Sequence, residues 1–508
     1  MAFTELLTST QAYSASAIIL VLYLVGSTAL DWYRLRHIKG PFIATFSYFW
    51  LFRNSSSARH SDGFRAVAKK YGPLARIGPN EVLTSDPEVV RRMGNTRAKP
   101  NYGRSSWYSV SSVDPYHPSL FSTLDTQGHD KLKAKLSFGY GGRENPSLEP
   151  GIDEQLVSLV DLIRRKYIST DTELRPLDLA TAVQYFTLDT ITKIAYGHAF
   201  GYLETDSDVY GYIAMTEMIT HPIILAGEIP WIGKILGSPT FLKYFGPKTT
   251  DESGFGKMLS IAHDIASARF EPGAPDHNDM LGSFKRHGVE LRDCQSEILF
   301  QIVAGSDTTA GVIRSTMLNL ITSPQIYLKL QKEIDESIAN GKISDLARAE
   351  EGRKLPYLQA VIYEGIRINP PFTGLAFKQV PPEGDTINGQ FVPGGTRVGT
   401  NFVHIQRSTS IFGGDAEMFR PERWLNLDDA TTMQWRHHVE LAFGSGRWGC
   451  SGKPVAFLEL NKVYIELLRR FDFQVVNPRN PVDTMNKNLV LQKNMWVRVT
   501  ERFPGAVV

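Results

Sequence analysis

Two stretches far apart in the chain hold residue types suited to chemistry. Near the C-terminus, Phe443-Gly444-Ser445-Gly446-Arg447-Trp448-Gly449-Cys450-Ser451-Gly452-Lys453-Pro454 sets a cysteine among glycines. Glycine lacks Cβ and tolerates unusual φ/ψ, so such a loop can press its backbone against a flat surface. Pro454 suits a first helical turn, and Leu460, Tyr464, Leu467, Leu468 and Phe471 recur at helical spacing behind it. Cys450 therefore stands just before a helix N-terminus, where backbone N–H groups and the helix dipole favour a thiolate. The second stretch, Ala304-Gly305-Ser306-Asp307-Thr308-Thr309, lies inside an apolar helical pattern from Asp293 to Thr322 that Ser323-Pro324 ends. A glycine there costs about 1 kcal/mol relative to alanine, and a carboxylate costs more unless paired. A ligand beside the helix would compensate for both. Gly305 leaves room for it, Thr308 can bond either the carbonyl four residues back or the ligand, and Asp307 can relay protons from solvent.

A third group reads as support. Glu364 and Arg367 lie three apart on a predicted helix, a spacing that Glu88/Arg91 and Glu350/Arg353 repeat, so the pair alone means little. Its context is particular: Asn369-Pro370-Pro371 follows, then strand-like segments, then Phe419-Arg420-Pro421-Glu422-Arg423-Trp424.

The elements that must position these residues are mostly helical. Leu74 to Ile77 and Val82 to Thr84 predict a hairpin around Gly78-Pro79-Asn80, Asp86-Pro87 predicts a helix start, and Asn388-Gly389 and Pro393-Gly394-Gly395 predict further hairpin turns. Lys99 to Thr126 lacks periodicity and reads as a long loop whose aromatic residues need somewhere to pack. Helices are expected around His129 to Leu136, Ile152 to Tyr167 and Leu177 to Tyr196. The fold class is thus mainly α with a minor β region (α+β). From Leu6 to Leu30 no residue is charged, and Arg34, Arg36, His37 and Lys39 follow, which predicts a single N-terminal transmembrane helix with the bulk of the chain in the cytosol. The net charge of the 508 residues is only +2, which points to no nucleic acid, and two cysteines, Cys294 and Cys450, fit a reducing compartment.

The loop around Cys450 resembles the haem-binding loop of the cytochrome P-450 superfamily, in which Phe443, Gly446, Cys450 and Gly452 match Phe, Gly, Cys and Gly at the family's spacing. One position departs. The family usually has Arg two residues before the Cys, touching a haem propionate, and this chain has Trp448, with Arg447 one place earlier. Ala304 to Thr309 resembles the family's oxygen-activation motif, and Glu364/Arg367 with Arg423 resembles its Glu/Arg/Arg cluster. The overall look is similar to fungal members that tailor secondary metabolites.

The resemblance implies a P-450 fold, with residues 1–40 as membrane anchor and connector and 41–508 as a haem-thiolate catalytic domain. It implies haem b, with Cys450 as axial thiolate favouring O–O cleavage, and with Phe443, Gly446, Arg447, Trp448, His129 and Lys133 around the cofactor. Thr308 and Asp307 would deliver protons, and Glu364, Arg367 and Arg423 would lock the region carrying the cysteine loop. Tyr102, Trp107, Phe300, Val303, Ala304, Phe372, Phe377 and Leu489 would line a substrate pocket. The implied partners are dioxygen, a lipophilic small-molecule substrate, and an NADPH-dependent flavoprotein reductase docking near Lys131, Lys135 and Lys453. The implied setting is the endoplasmic reticulum membrane, single-pass, with the catalytic domain facing the cytosol. The expected activity is insertion of one oxygen atom into that substrate. Two alternatives are a haem-thiolate enzyme that rearranges or dehydrates without external oxygen, and a membrane haem-binding protein without turnover. The Asp307/Thr308 pair weighs against both.

Overall fold

A computed structural model describes residues 2–97, 101–112, 114, 116–142 and 144–503. Seven helices position the site: α1 (Ala2–Leu35), α2 (Thr126–Tyr140), α3 (Leu179–Tyr196), α4 (Tyr212–Glu228), α5 (Leu291–Ile321), α6 (Pro356–Ile368) and α7 (Lys453–Arg470). The apolar pattern around residue 300 becomes α5, 31 residues long, buried for most of its length against α3 and neighbouring helices. Side-chain caps set several starts: Asp125 accepts from Gln127 N and Gly128 N ahead of α2, and Asp178 accepts from Ala180 N ahead of α3. The main core joins α3, α5, α6 and α7 through residues such as Phe186, Ile302, Ile366 and Leu467.

The minor β region comprises β1 (Leu74–Gly78), β2 (Glu81–Thr84), β3 (Gly103–Arg104), β4 (Leu177–Asp178), β5 (Lys378–Gln379), β6 (Asp385–Ile387), β7 (Gln390–Val392), β8 (Arg397–Thr400), β9 (Phe471–Val475), β10 (Asp483–Lys487), β11 (Leu489–Lys493) and β12 (Trp496–Glu501). One sheet runs β1-β2-β8-β5-β3, with β2 and β8 parallel and its other neighbours antiparallel. The β6–β7 turn has Asn388 and Gly389 at φ of 47° and 76°, the left-handed values a tight hairpin requires. At the edge of the first sheet Arg104 lies opposite Lys378. The β10–β11 hairpin stands apart, its turn at Asn488 reaching Phe372, which pairs with Leu489. Within the long loop, Lys99 lies outside the described residues, and a short strand and a 3₁₀ turn interrupt the rest.

The expected transmembrane span is corrected. No helix among the described residues is long and apolar enough to cross a membrane. Helix α1 forms, but Thr8, Ser9, Thr10, Gln11, Ser14 and Ser16 dilute its first half, and Gly26-Ser27-Thr28 ends the run from Ile18 to Val25. A span needs about 20 predominantly apolar residues. The end of α1 packs on the body: Leu35 and Ile38 are buried with Leu74, Val82 and Val398, and Arg76 Nη2 donates to Asp31 O at 3.1 Å.

Candidate active site

The cysteine loop is shaped by contacts that glycine alone allows. Gly446 has φ of 54°, and a Cβ there would stand 2.2 Å from Gly94 O. Gly446 thus seats the loop on the helix Pro87–Gly94 and does not line the cleft above it. Cys450 N donates to Phe443 O at 2.7 Å, and Phe443 lines the cleft. Lys133 of α2 donates to Arg447 O at 2.8 Å and Gly449 O at 2.6 Å, so it braces the loop from behind. The Cys450 side chain is open to the cleft while protein surrounds it. Burial raises its thiol, and the N–H groups of Gly452 and Lys453 with the charges of Lys133 and Lys453 act in the opposite direction. The other cysteine, Cys294, is buried in the core with its thiol pushed up to about 12, a form without nucleophilic use.

Helix α5 forms the facing wall through Ala304, Gly305, Thr308 and Thr309. Of the two bonds open to Thr308, the structure shows the intrahelical one: Oγ1 donates to Ala304 O at 2.8 Å. Gly305 also serves packing, since a Cβ there would meet Ile191 of α3 at 2.8 Å. Asp307 is turned away from the cleft. Its Oδ1 accepts from Gln184 Nε2 at 3.0 Å and its Oδ2 from Tyr212 OH at 2.9 Å, on α3 and α4. Burial raises its carboxyl, against those two bonds and the nearby Arg314 guanidinium. No local pattern marks Gln184 or Tyr212, because their roles arise only when α3 and α4 pack on α5.

At one rim of the cleft the expected cation is elsewhere. Trp448 lines the cleft, its Nε1 donates to Met93 O at 3.1 Å, and its ring lies 4.7 Å from that of His129. His129 is buried, and burial with the Arg104 charge pushes it down to about 4, so it is neutral. Arg447 does not line the cleft, because it pairs with Asp130 at 3.0 Å and donates to Asn101 Oδ1 at 3.0 Å. The positive charge comes instead from Arg104 and Lys378, neither of which any local motif marks. Arg104 lies 4.9 Å from the Trp448 ring centroid and Lys378 5.4 Å, both line the cleft, and no carboxylate among the described residues pairs with either. Arg104 Nε is buried without a partner. Burial lowers the Arg104 guanidinium to about 10 and drives Lys378 well below its ordinary range, helped there by Arg104. Like charges directly opposite on antiparallel strands are destabilising, and buried cations need anions. A flat cofactor bearing two carboxylates fits this rim.

The cleft continues into a cavity of about 870 Å³, and Phe121, Phe300, Ala304, Thr308 and Phe372 border both. Of the predicted pocket residues, Trp107, Phe300, Val303, Ala304, Phe372 and Leu489 line this cavity. Tyr102 and Phe377 do not. Tyr102 is buried with its hydroxyl on Asp385 Oδ2, and Phe377 packs in a separate core under the Arg397 guanidinium, 4.4 Å from its ring centroid. Phe121, at the end of the loop expected to line the pocket, does line it and stacks on Phe300 at 4.8 Å.

The supporting cluster is assembled in full. Glu364 accepts from Arg367 Nε and Nη2 at 2.8 Å each, from Arg423 Nε at 2.9 Å, from Trp424 Nε1 at 2.9 Å and from Arg420 N at 2.8 Å. The two arginines extend to the carbonyls of Gln406, Ala416, Met418 and Phe412. Of the lysines expected on the docking face, Lys453 pairs with Glu440 at 2.6 Å, Lys135 donates to Gly288 O at 2.6 Å, and Lys131 is exposed.

A mostly helical body, a cysteine loop facing a glycine-bearing helix across a narrow cleft, and buried cations at one rim define a haem-thiolate protein. The chain matches the family Cytochrome P450 over residues 40–497 and belongs to it. It is similar to "Cytochrome P450 monooxygenase ABA1" of Pyricularia oryzae, 49% identical over 492 residues, covering 95% of this chain and 96% of that protein. It is 43% identical over 470 residues to "Cytochrome P450 monooxygenase aba1" of Botryotinia fuckeliana, covering 92% of each. It is also 30% identical over 486 residues to "Cytochrome P450 monooxygenase mpaDE'" of Penicillium brevicompactum, covering 92% of this chain and 55% of that protein. The chain is accordingly a cytochrome P450 monooxygenase, and its family's cofactor is haem held by a cysteine thiolate.

Proposed function

We propose that this enzyme inserts one oxygen atom of dioxygen into a lipophilic organic substrate in secondary-metabolite biosynthesis, taking electrons from an NADPH-dependent flavoprotein reductase. The observation that carries this reading is that Thr308 belongs to both the cleft holding Cys450 and the 870 Å³ cavity. A substrate in the cavity therefore lies against the hydroxyl that borders the cofactor cleft. Haem bound to a thiolate supplies the activation of dioxygen.

The rest is the work of this chain's side chains. Cys450 would hold the iron, its loop stiffened by Lys133, while Arg104 and Lys378 would take the propionates. Thr308 Oγ1 can exchange its bond to Ala304 O for one into the cleft, and Asp307, held behind it by Gln184 and Tyr212, would relay protons. The Phe121–Phe300 stack forms an apolar border of this junction. The Thr308 hydroxyl also weighs against rearrangement without external oxygen.

The test is the reduced, carbon-monoxide-bound spectrum. Wild type should show the red-shifted Soret band of thiolate ligation, and Cys450→Ser should lose it. In Thr308→Ala the band should persist while NADPH consumption yields peroxide or water in place of product. An unshifted wild-type band sinks the assignment, and fully coupled turnover of Thr308→Ala removes the role given to that hydroxyl.

A further inference from the structure

The cavity beside Thr308 is not uniformly apolar. Its inner wall, near Ala304, is formed by Phe300, Val303 and Phe372, but the wall made by the β10–β11 hairpin carries Lys487. This lysine is half-buried and makes no hydrogen bond or ion pair with any described residue. The lysine at the open end of the hairpin behaves differently: Lys493 Nζ lies 2.7 Å from Glu217 Oε2 on α4. The titratable group of α4 that feels the Lys487 charge is His221, whose imidazole burial and Lys487 lower against the charge of Glu228. Burial lowers the Lys487 ammonium with no carboxylate acting against it. A partly desolvated cation is costly unless something accepts its hydrogen bonds.

Nothing in the cavity wall plays that part. Its carboxylate, Asp114, is occupied by the backbone N–H groups of Tyr116 at 2.8 Å and His117 at 3.3 Å. Two more cations on the wall, Arg292 and Lys243, are exposed and without a carboxylate partner among the described residues. His263, also on the wall, lies 3.7 Å from Asp264. The wall is therefore apolar at the reacting end and elsewhere carries three cations without a carboxylate partner among the described residues, of which Lys487 alone is half-buried.

Resting on the monooxygenase reading, we propose that the substrate is a lipophilic carboxylate whose anionic end is bound by Lys487 and whose apolar body extends along Phe300, Val303 and Phe372 to Thr308. A charge-assisted bond in a partly desolvated site both adds affinity and fixes which carbon of the body reaches Ala304 and Thr308. Exposed Arg292 and Lys243 would draw the anion towards the cavity before Lys487 receives it.

The experiment uses the full-length, haem-loaded protein and two matched probe pairs, dodecanoate with methyl dodecanoate and 4-cyclohexylbutanoate with its methyl ester. The readout is the low-spin to high-spin shift of the Soret band. In wild type an acid should bind about tenfold more tightly than its ester, the worth of one net charge-assisted hydrogen bond. That advantage should vanish in Lys487→Gln and persist in Lys487→Arg. Esters binding as tightly as acids, acids that cause no shift, or an acid preference that survives Lys487→Gln would each overturn the carboxylate proposal. The carbon monoxide spectrum of the same samples separates the two readings. A thiolate band with any of those results leaves the monooxygenase reading standing, whereas loss of the wild-type band removes the foundation of both.

Discussion

At position 448 a tryptophan stands where an arginine would carry positive charge to the cofactor, and the fold supplies that charge from two strands instead. Arg104 and Lys378 converge on the Trp448 ring, and no carboxylate among the described residues forms an ion pair with either. Each charge-assisted bond to an anion contributes about 1.5–3 kcal/mol, so removing one should loosen a carboxylate-bearing cofactor tenfold or more. Haem transfer to excess apomyoglobin should be faster by about that factor in Arg104→Gln and in Lys378→Gln than in wild type. Unchanged transfer rates in the double variant would show that these cations do not hold the propionates. Cys450 and Thr308 were legible in the sequence because their spacing to Phe443, Gly446, Ala304 and Asp307 is local. Arg104 and Lys378 were not, because an edge pairing between remote strands brings them together.

The element that borders the junction of cleft and cavity is the loop from His117 to Phe121, stitched along one face of α5. His117 Nδ1 lies 3.4 Å from Asp293, Ser296 Oγ donates to His117 O at 2.6 Å, Leu120 N donates to Glu297, and Phe121 stacks on Phe300. Residues 293, 296, 297 and 300 are the one-face positions of a helix, so the whole loop docks on a single stripe. Glu297 is buried, and burial raises its carboxyl to about 7 against the opposing bond from Leu120 N.

The direction of the linkage follows from that rise. The native state holds the proton more tightly than the unfolded chain, so the stabilisation is complete below pH 4.5 and is lost as pH climbs through about 7. The loss amounts to about 3 kcal/mol at most. Glu297→Gln keeps an acceptor for Leu120 N and cannot ionise. Its thermal midpoint relative to wild type should therefore climb between pH 5 and 8, and a constant difference over that range would refute the assignment. The sequence showed the loop's aromatic residues and the helix separately, but no periodicity announces which stripe of a helix a loop will choose.

Across the whole molecule, Glu364 joins α6 to the segment that leads into the cysteine loop, and it does so while fully buried. Removing one member of a buried charge network leaves the others unpaired and costs about 3–5 kcal/mol. Glu364→Gln should thus lower stability by about that amount in urea unfolding of the haem-loaded protein. Glu88→Gln breaks a pair of the same sequence spacing whose carboxylate is exposed to solvent and should leave the curve nearly unmoved. Equal effects from both variants would contradict the buried-network account.

That comparison also marks the division of labour between sequence and structure. The local patterns by themselves determined the mainly helical class, the hairpins at Gly78-Pro79 and Asn388-Gly389, the helix after Pro454, and, each on its own, the glycine-bearing cysteine loop and the helix around Thr308. All of these depend on neighbours within a few turns of chain. Only the tertiary structure decided which Glu-x-x-Arg pair is buried, that Arg104 and Lys378 replace the charge missing at Trp448, and that Asp307 is held by Gln184 and Tyr212. The physical reason is that burial and charge compensation depend on what packs against a residue, and that is set by chain segments far removed in sequence.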